Sequence, residues 1–467
     1  MKIQCKFLSK FLGKFFIQVF VLCTLSGHIS AWAPTNFFRP DDPALHVVYI
    51  PKHKYLLGIH GEFGARKTGL DASGTRQNVL AIHDETQSVV SMLMNQVTAK
   101  DLPATIDPLE TGGINLGGPA LIVDRITPPV GRLKFKGKYE ETDITFFGRY
   151  VLDSGFIPGA FSLSVFLPTK KKEIKSFSWE NLTKDYMPGA RELKDQIMKD
   201  KETFYANVKK YGDLSLQDAK NSGFGDLAIS LEWAKDFKTE SQPKNNKNKK
   251  IKKQKVNSAP GLGSSINAFT LWLKAGAIVP TGKERDENSA FSIALGNDGL
   301  WGFPFGAGLD MNFAGKIGAG VAFDVTLFAD KTDNIRLKTN KNQTDFLLLN
   351  KGRATKDFGL TWDFATYLKV FQIVSHFDVR LAYQYVTHQD DQLFSQDARY
   401  KDEIINSATS LKGWYFHNLI FALEYDLERD KTRRKVVPEF SLFFKLPLGG
   451  ESVIDMYTFG GQLSVSF

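Results

Sequence analysis

The sequence predicts an all-β protein, a transmembrane antiparallel β-barrel of about 12 strands, with 14 strands as the rival count. Apolar and polar residues alternate with a period of two in runs of roughly ten residues, the length that a tilted strand needs to cross a bilayer. The polar faces of these runs carry full charges, while the apolar faces are rich in aromatic residues. The whole chain contains 38 Phe. A soluble β-sandwich also alternates, but its strands are usually only about 5–6 residues long.

Residues 1–33 are expected to be a signal peptide that directs export. Four lysines and no acid precede an apolar core at 15–25, which is too short to span a bilayer. Cleavage would follow Ala33 or Ala31. The only two cysteines of the chain lie in this segment, Cys5 and Cys23. A disulfide scaffold, a Cys-rich zinc module and an iron–sulfur protein are therefore excluded.

Short connections alternate with long ones along the rest of the chain, which is typical of bacterial barrels with short periplasmic turns and long external loops. A change of alternation near Glu140–Thr142 predicts a β-bulge. Residues 289–296 could supply the two further strands of a 14-strand barrel or form an external hairpin. The twelve predicted strands lie near 54–66, 132–151, 159–168, 224–236, 265–279, 302–313, 317–328, 357–370, 376–387, 413–427, 435–446 and 455–467.

The domain organisation follows from these strands. Residues 34–53 form an N-terminal periplasmic segment, and 54–467 form the barrel. Residues 66–131 are either a plug inside the lumen or a long external loop, and 169–223, with apolar residues at helical spacing, are a helical surface loop. Residues 237–264 are a lysine-rich periplasmic loop, which we interpret as solvated rather than nucleic-acid-binding because no aromatic residues are interleaved.

The C-terminal strand resembles the signal that outer-membrane barrels present to their assembly machinery. Its apolar residues share one face and end in phenylalanine. They are Phe459, Leu463, Val465 and Phe467.

Charged side chains on the polar faces are predicted to line the lumen, where mixed charges set selectivity through charge and pore width. The alternative is that they pair with one another and rigidify a nearly closed barrel, because 12 strands leave a narrow lumen. The candidates are Glu62, Glu232, Lys274, Asp310, Asp324, Asp363, Lys369, Asp378, Arg380, Glu424, Asp426, Glu439 and Lys445.

No motif predicts an enzyme. The sequence has no metal-ligand spacing, no phosphate-binding glycine loop and no nucleophile elbow, so we expect no catalytic residue, no metal and no cofactor. A hydrolase with Asp and His at the barrel rim is the lowest alternative. Its candidates would be Asp41, Asp42, His83, Asp84, His388, Asp390 and Asp391.

Two motifs narrow the class. Ser222-Gly223-Phe224-Gly225-Asp226-Leu227 opens one strand, and Ala275-Gly276-Ala277-Ile278-Val279-Pro280-Thr281-Gly282 closes the next. This pair is similar to outer-membrane β-barrel channels of the phenol-degradation meta-pathway family, distant relatives of the long-chain fatty-acid transporter. The resemblance implies uptake of small aromatic or apolar solutes. Here the lysine-rich loop is inserted between the two motifs.

Together these features predict a monomeric porin-like channel for passive uptake of small solutes in the outer membrane of a Gram-negative-type bacterium. Its partners would be membrane lipid, lipopolysaccharide, the barrel-assembly machinery and the solute, without nucleic acid. A surface adhesin or structural barrel with a plugged lumen is the alternative.

Overall fold

The computed structural model describes residues 54–93, 131–152, 157–182, 197–238, 266–313, 316–374, 376–426 and 436–467. The predicted signal peptide, the 34–53 segment and most of the lysine-rich loop therefore lie outside the described residues. No helix in the described part of the chain is long and apolar enough to cross a membrane.

Twelve strands form one closed antiparallel barrel in which each strand pairs with the next, and the first pairs with the last. The predicted fold class and the count of 12 are confirmed. The rival count of 14 is wrong, because 289–296 contain no strand and the two extra strands of the sheet are short additions to its rim. The barrel strands are β1 (Tyr55–Arg66), β2 (Arg132–Leu152), β3 (Ala160–Asn181), β4 (Leu227–Lys238), β5 (Ile266–Val279), β6 (Gly302–Phe313), β7 (Ile317–Phe328), β8 (Thr361–Val374), β9 (Phe377–His388), β10 (Trp414–Asp426), β11 (Val437–Glu451) and β12 (Thr458–Ser466).

The remaining elements lie in the connections. Three α-helices are described, α1 (Val89–Met92), α2 (Lys201–Gly212) and α3 (Asp402–Ile405), with 3₁₀ turns at Asp345–Leu347 and Thr409–Leu411. Asp200 begins α2 by accepting the backbone N–H of Thr203 at 2.7 Å. The short strands outside the barrel circuit are Thr68–Leu70, Arg76–Asn78, Gln87–Ser88, Ala219–Phe224, Lys331–Arg336, Lys351–Asp357 and Gln392–Ser395.

Exposure follows the predicted alternation along the strands. In β1, Leu57, Ile59 and Phe63 are exposed, whereas His60 and Gly64, at positions of the opposite parity, are buried. The outer face is therefore apolar and the inner face polar, as a barrel in lipid requires. With one exception, the long connections join strands at one end of the barrel, the loop end, and the short turns join them at the other, the turn end. The exception is the lysine-rich connection between β4 and β5, which begins and ends at the turn end.

The predicted bulge near Glu140–Thr142 is wrong. Pairing of β1 with β2 runs without interruption through this stretch, and the register shift between β2 and β3 lies at Lys136/Lys138. The alternation changes because one inner face passes from the apolar Phe135 and Tyr139 to the polar Glu141. Near Glu140–Thr142 the surroundings of the inner face change, while the backbone pairing stays regular.

Strand β3 is also longer than expected. It continues past residue 168 to Asn181, so that β2 and β3 rise together above the rim of the barrel. Residues 169–181 are thus strand, and α2 covers only a later part of the segment expected to be a helical loop.

Candidate functional site: the barrel interior and its cap

Most of the predicted lumen residues form ion pairs inside the barrel. Glu62 meets Lys445 at 2.6 Å, and Lys274 meets Asp324 at 2.8 Å. Lys369 lies 3.2 Å from Asp378 and also contacts Glu424, which Arg380 approaches at 2.9 Å. These pairs join strands that are neighbours or have one strand between them, so the charges pair along the wall rather than across the lumen.

The other candidates have different partners. Glu232 pairs with Arg149 at 2.9 Å. Asp310 accepts the Tyr367 hydroxyl, Asp363 accepts the Gln384 amide at 2.9 Å, and Glu439 accepts the Ser464 hydroxyl at 3.5 Å. Asp426 ends β10, and its side chain is outside what the structure describes. Whether these residues select a solute stays a prediction.

Sequence reasoning missed several inner charges on β2 and β3. Asp143 pairs with Lys170 at 3.0 Å, and Glu141 lies 3.9 Å from the buried Lys172. The signal was present, since Glu141, Asp143 and Thr145 share one parity.

Inward-facing glycines allow side chains to meet when one strand lies between their own strands. Gly306 of β6 lies between Lys274 and Asp324, and a Cβ at Gly306 would overlap the Asp324 carboxylate. Gly320 holds the same position between Asp310 and Tyr367. A glycine on the middle strand thus lets side chains of its two neighbours meet above it.

An apolar cluster lies within the same interior. It contains the aromatic residues Trp272 and Phe443, with Tyr367 packed against them. The His60 ring stacks on Phe443, with centroids 5.0 Å apart. Ala365 and Ala382 of this cluster are each only 1% exposed. At this level the inward side chains therefore pack against one another and leave little space open to solvent.

The loop end is covered by a folded cap, which we define as the described parts of the connections at that end. Its apolar core contains Leu80 and Ile82 from the connection between β1 and β2. Phe204 of α2 and Phe346 from the connection between β7 and β8 pack in the same core. Phe135 on the inner face of β2 belongs to the same core and packs edge-on against Phe177 at 5.1 Å. The described part of 66–131 is thus a structured component of the cap.

The two family-like motifs meet in this cap. The Asp226 carboxylate accepts the backbone N–H of Gly282 at 2.8 Å and that of Asn297 at 2.5 Å. Thr281 donates its hydroxyl to the carbonyl of Gly225 at 3.0 Å. Burial raises the pKa of Asp226. The motifs therefore fasten the connection between β5 and β6 to the start of β4.

A pair of acids joins three further segments of the cap. Asp84 and Asp345 both accept the Thr409 hydroxyl, at 3.2 and 2.9 Å, and the Asp345 backbone N–H donates to Asp84 at 2.8 Å. Burial and the nearby Asp345 charge raise the pKa of Asp84 to about 7. Burial lowers the pKa of His83 to about 4.

Those hydrolase candidates that the structure describes do not form an accessible cleft. His388 lies between the Thr361 hydroxyl at 2.8 Å and the Asp391 carboxylate at 3.0 Å, beneath the ring of Trp414. Both His388 and Asp391 are buried, whereas Asp390 pairs with exposed Lys412. Asp41 and Asp42 are outside the described residues. The described residues contain no cluster of three His, Cys, Asp or Glu able to hold a metal.

The C-terminal strand places its apolar residues on the outer face. Phe459, Leu463 and Phe467 are exposed, and Val465 is half-buried. The Phe467 ring stacks on Tyr55 of β1, with centroids 5.4 Å apart, where the first and last strands close the barrel. Recognition by the assembly machinery stays a prediction.

No family model and no curated protein matches the chain. Among solved structures it is similar to an outer-membrane channel from Pseudomonas putida F1, with 8% identity, 92% of this chain and 100% of that chain covered, and a TM-score of 0.48. It is also similar to the NanC porin (10% identity; 70% and 93% covered; TM-score 0.25) and to a FadL homologue from Pseudomonas aeruginosa (10%; 93% and 95%; 0.28). These neighbours are outer-membrane channels and porins, as the sequence led us to expect. With each TM-score below 0.5, the likeness is too distant to carry the fold, which rests on the strand pairing.

Proposed function

We propose that this protein is an outer-membrane channel for passive uptake of small solutes, with the described conformation as its closed state. The observation that carries the proposal is the closed barrel with an apolar outer face and a charged inner face. Charges on the inside of a barrel in lipid are expected where water and solutes enter. The long connections would face outward from the cell and the short turns would face the periplasm.

We further propose that the solutes are hydrophobic or aromatic. The inner apolar cluster supports this, because Trp272, Tyr367 and Phe443 offer aromatic surface beside charged groups. Ligand sites commonly combine such surface with a few polar contacts. No catalytic step is assigned to the protein.

Liposome swelling tests the proposal. Vesicles that contain the refolded protein should swell faster in an aromatic solute than empty vesicles do. They should also swell faster in that solute than in a sugar of similar size. Phe443→Ala should change the ratio of these two rates. Phe421→Ala, which removes an equal ring from the lipid-facing side, should leave it unchanged. Swelling no faster than in empty vesicles for every solute would refute the channel.

A plugged structural or surface-contact barrel is the second candidate. The packed interior and the continuous core of the cap favour it. A folded chain without solute flux, but with saturable binding to a cell or matrix component through the cap, would support this role.

A further inference from the structure

Lysines gather on the outer face of the barrel wall just above the apolar band. Four of them, which we call the lysine patch, lie on β2, β3 and the short strand 219–224. Their side chains are between 36% and 62% exposed. They are Lys138, Lys171, Lys175 and Lys220.

Two glutamates are shared within the patch. Glu140 contacts Lys138 at 2.6 Å and Lys175 at 2.5 Å. Glu173 contacts Lys171 at 2.7 Å, Lys175 at 3.1 Å and Lys220 at 3.9 Å. Four ammonium groups against two carboxylates leave two positive charges in excess. The neighbouring Lys136 and Glu180 pair with each other at 2.8 Å and do not change that excess. Asp218, which accepts the backbone N–H groups of Ser176 and Phe177 next to Lys175, lowers it to one.

The strand register places the patch directly above lipid-facing residues. Ile144, Thr169 and Phe224 are opposite one another, and Ile144 and Phe224 are exposed apolar side chains. Lys171 lies on β3 two residues beyond Thr169, farther from the apolar band. Lys220 lies on the short strand 219–224, four residues from Phe224 in the same direction. Each step of two residues is about 7 Å along a strand, so Lys171 lies one step above the apolar band, Lys220 two steps, and Lys138 and Lys175 three steps.

We propose that the lysine patch binds the phosphate groups of an anionic lipid in the leaflet at the loop end, with lipopolysaccharide as the lipid of that leaflet. Exposed Phe224 would contact the acyl chains while the lysines reach the phosphates above. Juxtamembrane lysines attract anionic headgroups in this way, and phosphate oxygens accept several ammonium groups at once. This inference rests on the proposed outer-membrane placement, but not on conduction.

Binding of lipid A to the refolded protein in neutral detergent tests the inference. Wild type should bind the bisphosphorylated form at least about tenfold more tightly than the dephosphorylated form. Substituting all four patch lysines by Gln should remove that preference. The matched control substitutes four exposed cap lysines elsewhere and should keep it. These control positions are Lys209, Lys341, Lys401 and Lys412.

Several outcomes would overturn the inference. Equal affinity of wild type for the two lipid forms would do so, and this comparison changes the lipid without touching the fold. An equal loss in the control variant would assign the effect to general charge. Binding of a single-stranded oligonucleotide in preference to lipid A would indicate a different polyanion. The binding measurement does not depend on conduction. A protein that binds the lipid but shows no solute flux would therefore refute only the channel.

Discussion

At the scale of single residues, inward glycines decide where charges can pair inside the barrel. Gly306 and Gly320 lie beneath contacts made by their neighbouring strands, so that a wall of twelve strands accommodates side chains that would otherwise collide. A charge taken out of water without a partner is costly. The glycines therefore stabilise the barrel indirectly, by keeping the paths between Lys274 and Asp324, and between Asp310 and Tyr367, free of side-chain atoms.

We expect Gly320→Leu to destabilise the barrel. The new side chain would overlap Tyr367 and Asp310, and overpacking of this kind costs about 1–3 kcal/mol. The measurement is the temperature at which gel mobility shifts from the folded to the unfolded form. Gly449→Leu is the control, since a Cβ there meets nothing within 4 Å. Equal transition temperatures for the two variants would contradict this role of Gly320.

At the scale of elements, the cap is held by specific contacts between its connections. Arg336 shows how firmly: its guanidinium donates to the backbone carbonyls of Glu287 at 2.6 Å and of Gly212, at the end of α2, at 3.1 Å. Lys331 similarly pairs with Glu284 at 2.8 Å. The cap is therefore a folded unit, and opening the barrel requires breaking defined contacts.

Asp226→Ala should loosen the connection between β5 and β6. The substitution leaves the half-buried N–H groups of Gly282 and Asn297 without their acceptor, at a cost of at most about 1–3 kcal/mol for each group. Trypsin cleavage after Arg285, which is buried, should then become faster because it needs local opening.

Asp397→Ala is the control for this experiment, since Asp397 pairs with Arg399 at an exposed site elsewhere in the cap. If Arg285 were cleaved at the same rate in wild type and both variants, the motif would have no fastening role.

The acid pair predicts that the cap is weaker at alkaline pH. The pKa of Asp84 in the folded protein, about 7, is above its ordinary value of 3.8. Its stabilising contribution is therefore fully present below about pH 4 and is lost as the pH rises through about 7. The ionised Asp84 carboxylate would then face the charge of Asp345, with Lys338 and His83 nearby.

Hydrogen exchange at the Asp345 and Ser410 amides measures this effect, because both amides donate to the acid pair. After correction for the intrinsic rate, exchange should be slower at pH 6 than at pH 8. Asp84→Asn should flatten the difference. A pH dependence that persists in Asp84→Asn would show that another group is responsible.

At the scale of the whole molecule, the barrel could be predicted and the cap could not. The alternation of apolar and polar residues predicted the strands because each strand faces lipid on one side. The pattern of Leu57, Ile59 and Phe63 can therefore be recognised within β1 alone. The cap core depends on contacts distant in sequence, such as that between Phe135 and Phe346 at 6.5 Å. Where the cap covers an inner face, as along the upper part of β3, the alternation fails and the strand was predicted too short.

The pairing of the lumen charges was also beyond sequence reasoning. Parity placed Lys274 and Asp324 on inner faces, but only the register of β5, β6 and β7 brings them together over Gly306. The pairing of Glu62 with Lys445 likewise depends on the closure of β1 against β12.

The central claim is that the cap closes a channel, and a disulfide across the cap tests it most directly. Residues 34–467 contain no cysteine, so Leu70→Cys with Val453→Cys introduces a single pair. These two residues are antiparallel bridge partners, with backbone hydrogen bonds of 2.7 and 3.0 Å, a spacing that a disulfide can join. We predict single-channel openings in planar bilayers for wild type, none for the oxidised variant, and their return on reduction. The same current in the oxidised and reduced states, or no current from folded wild type, would contradict the claim.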